Sequence, residues 1–202
     1  MDRTLLSGRG SGRVGPAQRI RAWRGWAADL ITVGRGVLVV VLAVIVVGAP
    51  VAGEPMRAWW VVALAVPAWA LDSLDGYVAR RTGSASDRGA RLDSGVDGAL
   101  VLVMSLAIAP LAPWALVGGL LFPGYLAVQV VRPAWRRTLP RRPWRRIAGG
   151  TMTGTLVIGT APIWPELLVQ VAVALAVVFV TWSFAVDVRW LERRGPRVAS
   201  GR

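Results

Sequence analysis

Asp72-Ser73-Leu74-Asp75-Gly76-Tyr77-Val78-Ala79-Arg80, followed after eight residues by Gly89-Ala90-Arg91-Leu92-Asp93-Ser94-Gly95-Val96-Asp97, is the stretch on which the fold of this chain turns. It places four of the chain's 11 acidic residues at the ends of two apolar segments, roughly 58–79 and 92–109. An ionised Asp inside a membrane helix costs about 2.5–3.5 kcal/mol at the centre on insertion scales, and clustering adds repulsion. A cluster of this kind is expected where cations or a ligand offset that cost.

Spacing gathers the carboxylates. Asp72 and Asp75 are three apart and Asp93 and Asp97 four apart, so each pair shares a helix face. The short polar connection 81–90 lets the two helices fold antiparallel and bring all four to one locus. Oxygen-only ligands at that density suit Mg²⁺, Mn²⁺ or Ca²⁺. Four carboxylates can hold two ions, an arrangement suited to phosphoryl transfer. Gly76, Ala79 and Gly89 permit close approach of a ligand, or simply of a neighbouring helix. Arg80 serves either as a topology anchor or as a forked contact to phosphate.

The surrounding sequence shows where this cluster sits. Of the 202 residues 54% are hydrophobic, and they fall in long blocks such as 37–51 and 167–180. Six segments, roughly 32–51, 58–79, 92–109, 114–131, 147–163 and 167–186, approach the ~20 residues that cross a bilayer. Links near 50–55, 110–113 and 162–166 contain no Arg. The alternate links carry Arg80, Arg81, Arg88 and Arg91, then Arg132 through Arg146, and the carboxyl end adds Arg189, Arg193, Arg194, Arg197 and Arg202. This positive-inside pattern predicts that both termini and the aspartates face the cytoplasm, with Arg57 as the exception. Pro and Gly mark the short outer turns, so the helices they join should pack as antiparallel neighbours. In 19–30, Ile20, Trp23, Trp26 and Leu30 share a face, as in a helix lying in the membrane interface. The expected fold is an all-α integral membrane protein with six transmembrane helices plus this amino-terminal amphipathic helix. Residues 1–18 read as a disordered cytoplasmic tail, 19–191 as the membrane domain and 192–202 as a second tail.

Composition narrows the chemistry. The chain lacks Cys, His and Lys, and all 24 basic residues are Arg. Zinc sites of the Cys/His kind, catalytic triads, thiol nucleophiles, Schiff bases and a Walker lysine are excluded. Gly8, Gly10 and Gly12 imitate a phosphate loop but have no strand before them. A net charge of +13 in a membrane protein points to cytoplasmic loops near anionic lipid, not to nucleic acid.

Together, Asp72-x-x-Asp75-Gly76-x-x-Ala79-Arg80 and Gly89-x-x-x-Asp93-x-x-x-Asp97 resemble the motif of the CDP-alcohol phosphotransferase family at all eight fixed positions and across the gap. The six-segment layout resembles that family over most of the chain. The resemblance implies phospholipid biosynthesis: transfer of a phosphatidyl group from CDP-diacylglycerol to an alcohol, with release of CMP. It implies one Mg²⁺ on Asp72, Asp75 and Asp93 and a second on Asp72, Asp93 and Asp97, with Mn²⁺ as a substitute. Asp97 would be the general base. Gly76, Ala79, Arg80 and Gly89 would line the CDP pocket, with Ser86 on the donor. Asp29-Leu30-Ile31-Thr32 resembles the family's amino-terminal contribution to that pocket, through Asp29 and Thr32. A homodimer is implied too.

Trp144-Arg145-Arg146-Ile147 resembles a basic motif of some bacterial members. Arg145 and Arg146 would then bind an acceptor phosphate, with glycerol 3-phosphate and inositol phosphate both fitting. Topology and headgroup attraction account for the same arginines. Asp187 is a candidate partner for one of them. The Lys-free, Arg- and Ala-rich composition suggests a bacterial cell membrane. Two other readings stay open: a cation transporter or channel built on the aspartates, and a non-catalytic membrane scaffold. A conduction path would need polar groups in the outer halves of the segments, and few are present.

Overall fold

The computed structural model describes the backbone of residues 16–82, 87–132 and 143–193, and the side chains of residues 33–71, 92–132 and 144–193. These residues form six helices and no strand: α1 (Pro16–Ala52), α2 (Trp59–Thr82), α3 (Asp87–Ile108), α4 (Ala115–Val131), α5 (Pro143–Gly159) and α6 (Glu166–Arg193). They coincide with the six apolar segments, and all but α4 run beyond them at the Arg-bearing ends. Apolar patterning marks where a helix meets apolar surroundings. Its hydrogen-bond ladder continues until a breaker or a cap.

The largest departure from expectation is at the amino end. The amphipathic segment 19–30 is not a separate element. It is continuous with the first apolar segment in α1, a 37-residue helix about 55 Å long at 1.5 Å per residue. No proline lies between Pro16 and Pro50 to divide it. Pro16 opens the helix, where a missing N–H costs nothing, so the helix takes in the last residues of the expected tail. Residues 1–15 and 194–202, expected as tails, lie outside the described residues.

Among the described residues two helices, α1 over Val33–Ala52 and α6, are long and apolar enough to cross a bilayer; Trp59–Leu71 of α2 and α4 are shorter apolar helices. The exposed side chains have the wrong polarity for water. On α1, Val33, Val37, Val40, Val44, Val47 and Val51 form an exposed stripe at helical spacing, while Arg35, Val39, Leu42, Val46 and Ala49 are buried on the opposite face. On α6, Leu167, Val171, Leu175, Val178 and Trp182 repeat that stripe. Contiguous apolar surface of this extent is characteristic of protein facing lipid or another apolar partner.

Packing follows the outer turns. Helices α1 and α2, α3 and α4, and α5 and α6 are neighbours, as the short Pro/Gly links predict. Helix α3 is central, packing also against α1 and α5, and it meets α2 only narrowly. Leu100, Met104 and Ile108 of α3 join Leu42 and Val46 of α1, Val61 and Ala65 of α2, and Met152 and Leu156 of α5 in the core. Small residues set the closest approach: a Cβ on Gly119 of α4 would lie 2.8 Å from Ser105 Cβ and 3.2 Å from Leu102 Cα on α3.

The outer turns are closed by their own bonds. Gly53, at φ 71°, ends α1, and Gly53 N–H donates to Pro50 O (3.2 Å) while Glu54 N–H donates to Ala49 O (2.9 Å). This pairing satisfies carbonyls left over at a helix C-terminus. Arg57, the exception to the charge pattern, has a specific task. Its Nε donates to Gly159 O (3.2 Å) and its Nη2 to Ala161 O (3.1 Å) and Trp164 O (2.6 Å), with Glu166 at 4.0 Å. The guanidinium therefore caps α5 and holds the α5–α6 turn, so its charge is matched within the protein. Arg57→Ala is expected to destabilise the detergent-solubilised protein by about 1.5–3 kcal/mol, the scale of charge-assisted bonds lost to partly buried carbonyls. A lowered thermal midpoint, partly restored by Arg57→Lys, is the expected result.

Candidate active site

The described core of the site is a three-residue contact between α1 and α3. Asp93 and Asp97 lie one turn apart near the start of α3, on the face turned toward α1. Arg35 of α1 reaches both. Its Nη2 donates to Asp93 Oδ1 at 3.0 Å, to Asp97 Oδ1 at 2.8 Å and to the Asp93 carbonyl oxygen at 3.1 Å. Gly36 lies beside Val96 between the two acids, where a Cβ would sit 3.8 Å from Val96 Cγ2. The helices are therefore close enough for an Arg side chain to cross with its stem in the core.

Burial is distributed unevenly across this contact. The Arg35 side chain is wholly buried, whereas those of Asp93 and Asp97 are 41% and 44% exposed. Taking a cation out of water costs several kcal/mol unless well-placed oxygens replace the solvent. Here both carboxylates and a carbonyl do so, while the carboxylates keep access to the medium.

Arg35 carries the clearest signal absent from the motif. It lies inside the first apolar segment, in Gly34-Arg35-Gly36, where an ionisable residue is by default a functional candidate. It stands outside the aspartate motif and outside the Arg-bearing links, so neither signal includes it. Its partners could not be read from spacing, because they lie 58 and 62 residues away on another helix.

The other expected residues divide by what is described. Asp72, Asp75, Gly76, Ala79 and Arg80 are in the last turns of α2, Gly89 is in the first turn of α3, and Asp29 and Thr32 precede Arg35 in α1. Their side chains lie outside the described set, and Ser86 lies outside the described residues entirely. Among the described residues no third acidic side chain joins Asp93 and Asp97. The donor set that is described fits a hard divalent cation: two carboxylates, no sulfur or imidazole, and a face open to the medium.

A second polar locus joins α5 to α6. Arg145 and Arg146 lie in the first turn of α5. Arg145 Nε is 3.3 Å from Asp187 Oδ2, which realises the expected pairing of Asp187 with an Arg of this region. Asp187 is almost completely buried, and its Oδ1 and the Oγ of Ser183, one turn earlier, have no hydrogen-bond partner among the described residues. Arg146 is exposed. Nearby, Arg132 at the end of α4 pairs with Glu192 at 3.1 Å, and Tyr125 packs edge-on against Phe184 with centroids 6.1 Å apart. These contacts draw the ends of α4, α5 and α6 together on the side of the chain that carries most Arg.

The family model for CDP-alcohol phosphatidyltransferase matches residues 26–183, from the lower part of α1 into α6. No curated protein and no solved structure matches the chain. The matched region contains Arg35, the four aspartates, Arg145 and Arg146; Asp187 lies beyond it. With a match over most of its length, the chain belongs to the CDP-alcohol phosphatidyltransferase family, membrane-bound transferases of substituted phosphate groups that serve phospholipid biosynthesis.

Proposed function

We propose that this protein transfers the phosphatidyl group of CDP-diacylglycerol to a small polar alcohol, releasing CMP, at the cytoplasmic ends of α2 and α3. The observation that carries the reading is the convergence of Asp93 and Asp97 on one locus, within a stretch that also holds Asp72 and Asp75 at the family's spacing. Membership in a family of transferases sets aside the transporter and scaffold readings.

Asp72, Asp75, Asp93 and Asp97 would hold two divalent ions, Mg²⁺ or Mn²⁺, which when bound would neutralise the diphosphate of the donor. Asp97 accepts the proton of the acceptor hydroxyl as the oxygen attacks the lipid-side phosphorus. The new P–O bond forms as the bond from that phosphorus to the CMP oxygen breaks. Arg80 and the small residues Gly76, Ala79 and Gly89 would accept the cytidine diphosphate, with Asp29, Thr32 and Ser86 at its margins. Placement at the membrane surface lets a lipid donor meet a water-soluble acceptor.

The acceptor reading rests on α5. Arg145 and Arg146 stand at a helix N-terminus, where unpaired N–H groups and the helix dipole favour an anion. Glycerol 3-phosphate or inositol phosphate would present its phosphate there. Asp187, buried behind it, fixes the Arg145 side chain. A bacterial inner-membrane location, six spans, cytoplasmic termini and a homodimer complete the proposal. The charge pattern supports the orientation, the family resemblance is the ground for the dimer, and the apolar outer stripes support the spans of α1 and α6.

The direct test is CMP release from CDP-diacylglycerol by the purified protein, with Mg²⁺ or EDTA, across a panel of alcohols and phosphorylated polyols. Release that needs Mg²⁺ and one class of acceptor is expected; EDTA-resistant release would refute the metal-dependent reading. Asp97→Asn should lower kcat at least 100-fold, at the lower end of what general-base catalysis contributes, with the fold retained. Arg145→Ala should raise the KM of a phosphorylated acceptor about tenfold or more, the weight of one charge-assisted contact, and leave the KM of CDP-diacylglycerol unchanged. An unchanged acceptor KM would return Arg145 to a purely topological role.

A further inference from the structure

We propose that Arg35 is a positioning residue of the active site: its guanidinium sets the spacing and side-chain orientation of Asp93 and Asp97 for divalent-metal binding. The inference rests on the metal reading of the aspartates given above.

One nitrogen, Nη2, bonds Oδ1 of both carboxylates and the Asp93 carbonyl, so the two acids are referred to a common point. That point is anchored from the core side by a wholly buried stem on α1. A carboxylate has two oxygens, and one can accept from Arg35 while the other ligates a cation. Hydrogen bonds to ligating carboxylates orient them and tune their affinity. A fixed positive charge between the acids also lowers their mutual repulsion before any ion or nucleotide arrives. Arg suits this task better than Lys because it is always charged and its donors are held in a rigid plane.

Stability alone does not account for the arrangement. Asp93 and Asp97 are exposed enough to be solvated without Arg35. Removing one member of a buried ion pair is costly chiefly because it strands the other charge out of water, and here the two carboxylates keep contact with the medium. The buried cation is retained at the one place where the carboxylates must be aimed.

The test compares wild-type protein with Arg35→Lys and Arg35→Met. Mn²⁺ affinity is measured by EPR titration without substrate, kcat and KM by CMP release, and thermal midpoints in the absence of metal. Mn²⁺ affinity is expected to fall roughly 10–100-fold in both variants. The kcat should fall with it, the KM of CDP-diacylglycerol should stay within about twofold, and the metal-free midpoint of Arg35→Met should change little, because both carboxylates stay solvated. Wild-type Mn²⁺ affinity in either variant would overturn the inference, and so would midpoints that fall in step with the affinity. Should Arg35→Met fail to yield monodisperse protein, the Arg35→Lys affinity decides by the same criterion. Wild-type protein that binds no Mn²⁺ would instead refute the metal reading beneath it, which separates the two failures.

Discussion

A guanidinium placed wholly out of water must find oxygen atoms at hydrogen-bond distance, and that requirement ties α1 to α3. Arg35 meets it with Asp93, Asp97 and a carbonyl of α3. The contact fixes the depth at which the Arg35 guanidinium meets the central helix. With Arg35 turned inward, Val39, Leu42 and Val46 follow on the same face and enter the core. The stripe from Val33 to Val51 is turned outward. The cation and the buried apolar residues of α1 thus share one face, and the exposed valines take the other.

The two ends of the bundle answer different demands. At the Arg-poor end the polar backbone is closed upon itself. Gly53 permits the left-handed turn that finishes α1, and Arg57 takes up the last carbonyl of α5 and two of the α5–α6 turn. At the Arg-rich end polar groups are left accessible. Asp93 and Asp97 are partly exposed, Arg145 is held by a buried Asp187, and the helices continue past their apolar portions. A membrane-bound transferase of substituted phosphate groups is suited by this division. One end need only be stable within apolar surroundings, whereas the other must offer charge to substrates without losing its geometry.

Small residues make the arrangement possible. Gly119 lets α4 reach the backbone of α3, and Gly36 leaves Val96 in ordinary contact beneath the Arg35 stem. In apolar surroundings helices gain little from the hydrophobic effect when they associate, so close packing and polar contacts between helices carry the assembly. Helix α3 is where these contacts accumulate, and it is also the helix that bears Asp93 and Asp97.

By itself the sequence determined the helices, their pairing across short Pro/Gly turns and the polarity of the two ends. It also placed Asp93 and Asp97 on one face. Each of these depends on residues near one another in the chain, so a period, a turn signal or a charge count reveals them. The motif was legible for the same reason, since its spacing is that of successive helical turns. Tertiary structure alone decided that 19–52 is one uninterrupted helix, that Arg57 is a cap and that Arg35 belongs with the aspartates. Those outcomes turn on contacts between residues 58 to 107 positions apart, or on the absence of a break that packing could have imposed. A sequence shows that a buried charge needs partners, but only the packed helices show which oxygens come within 3 Å of it.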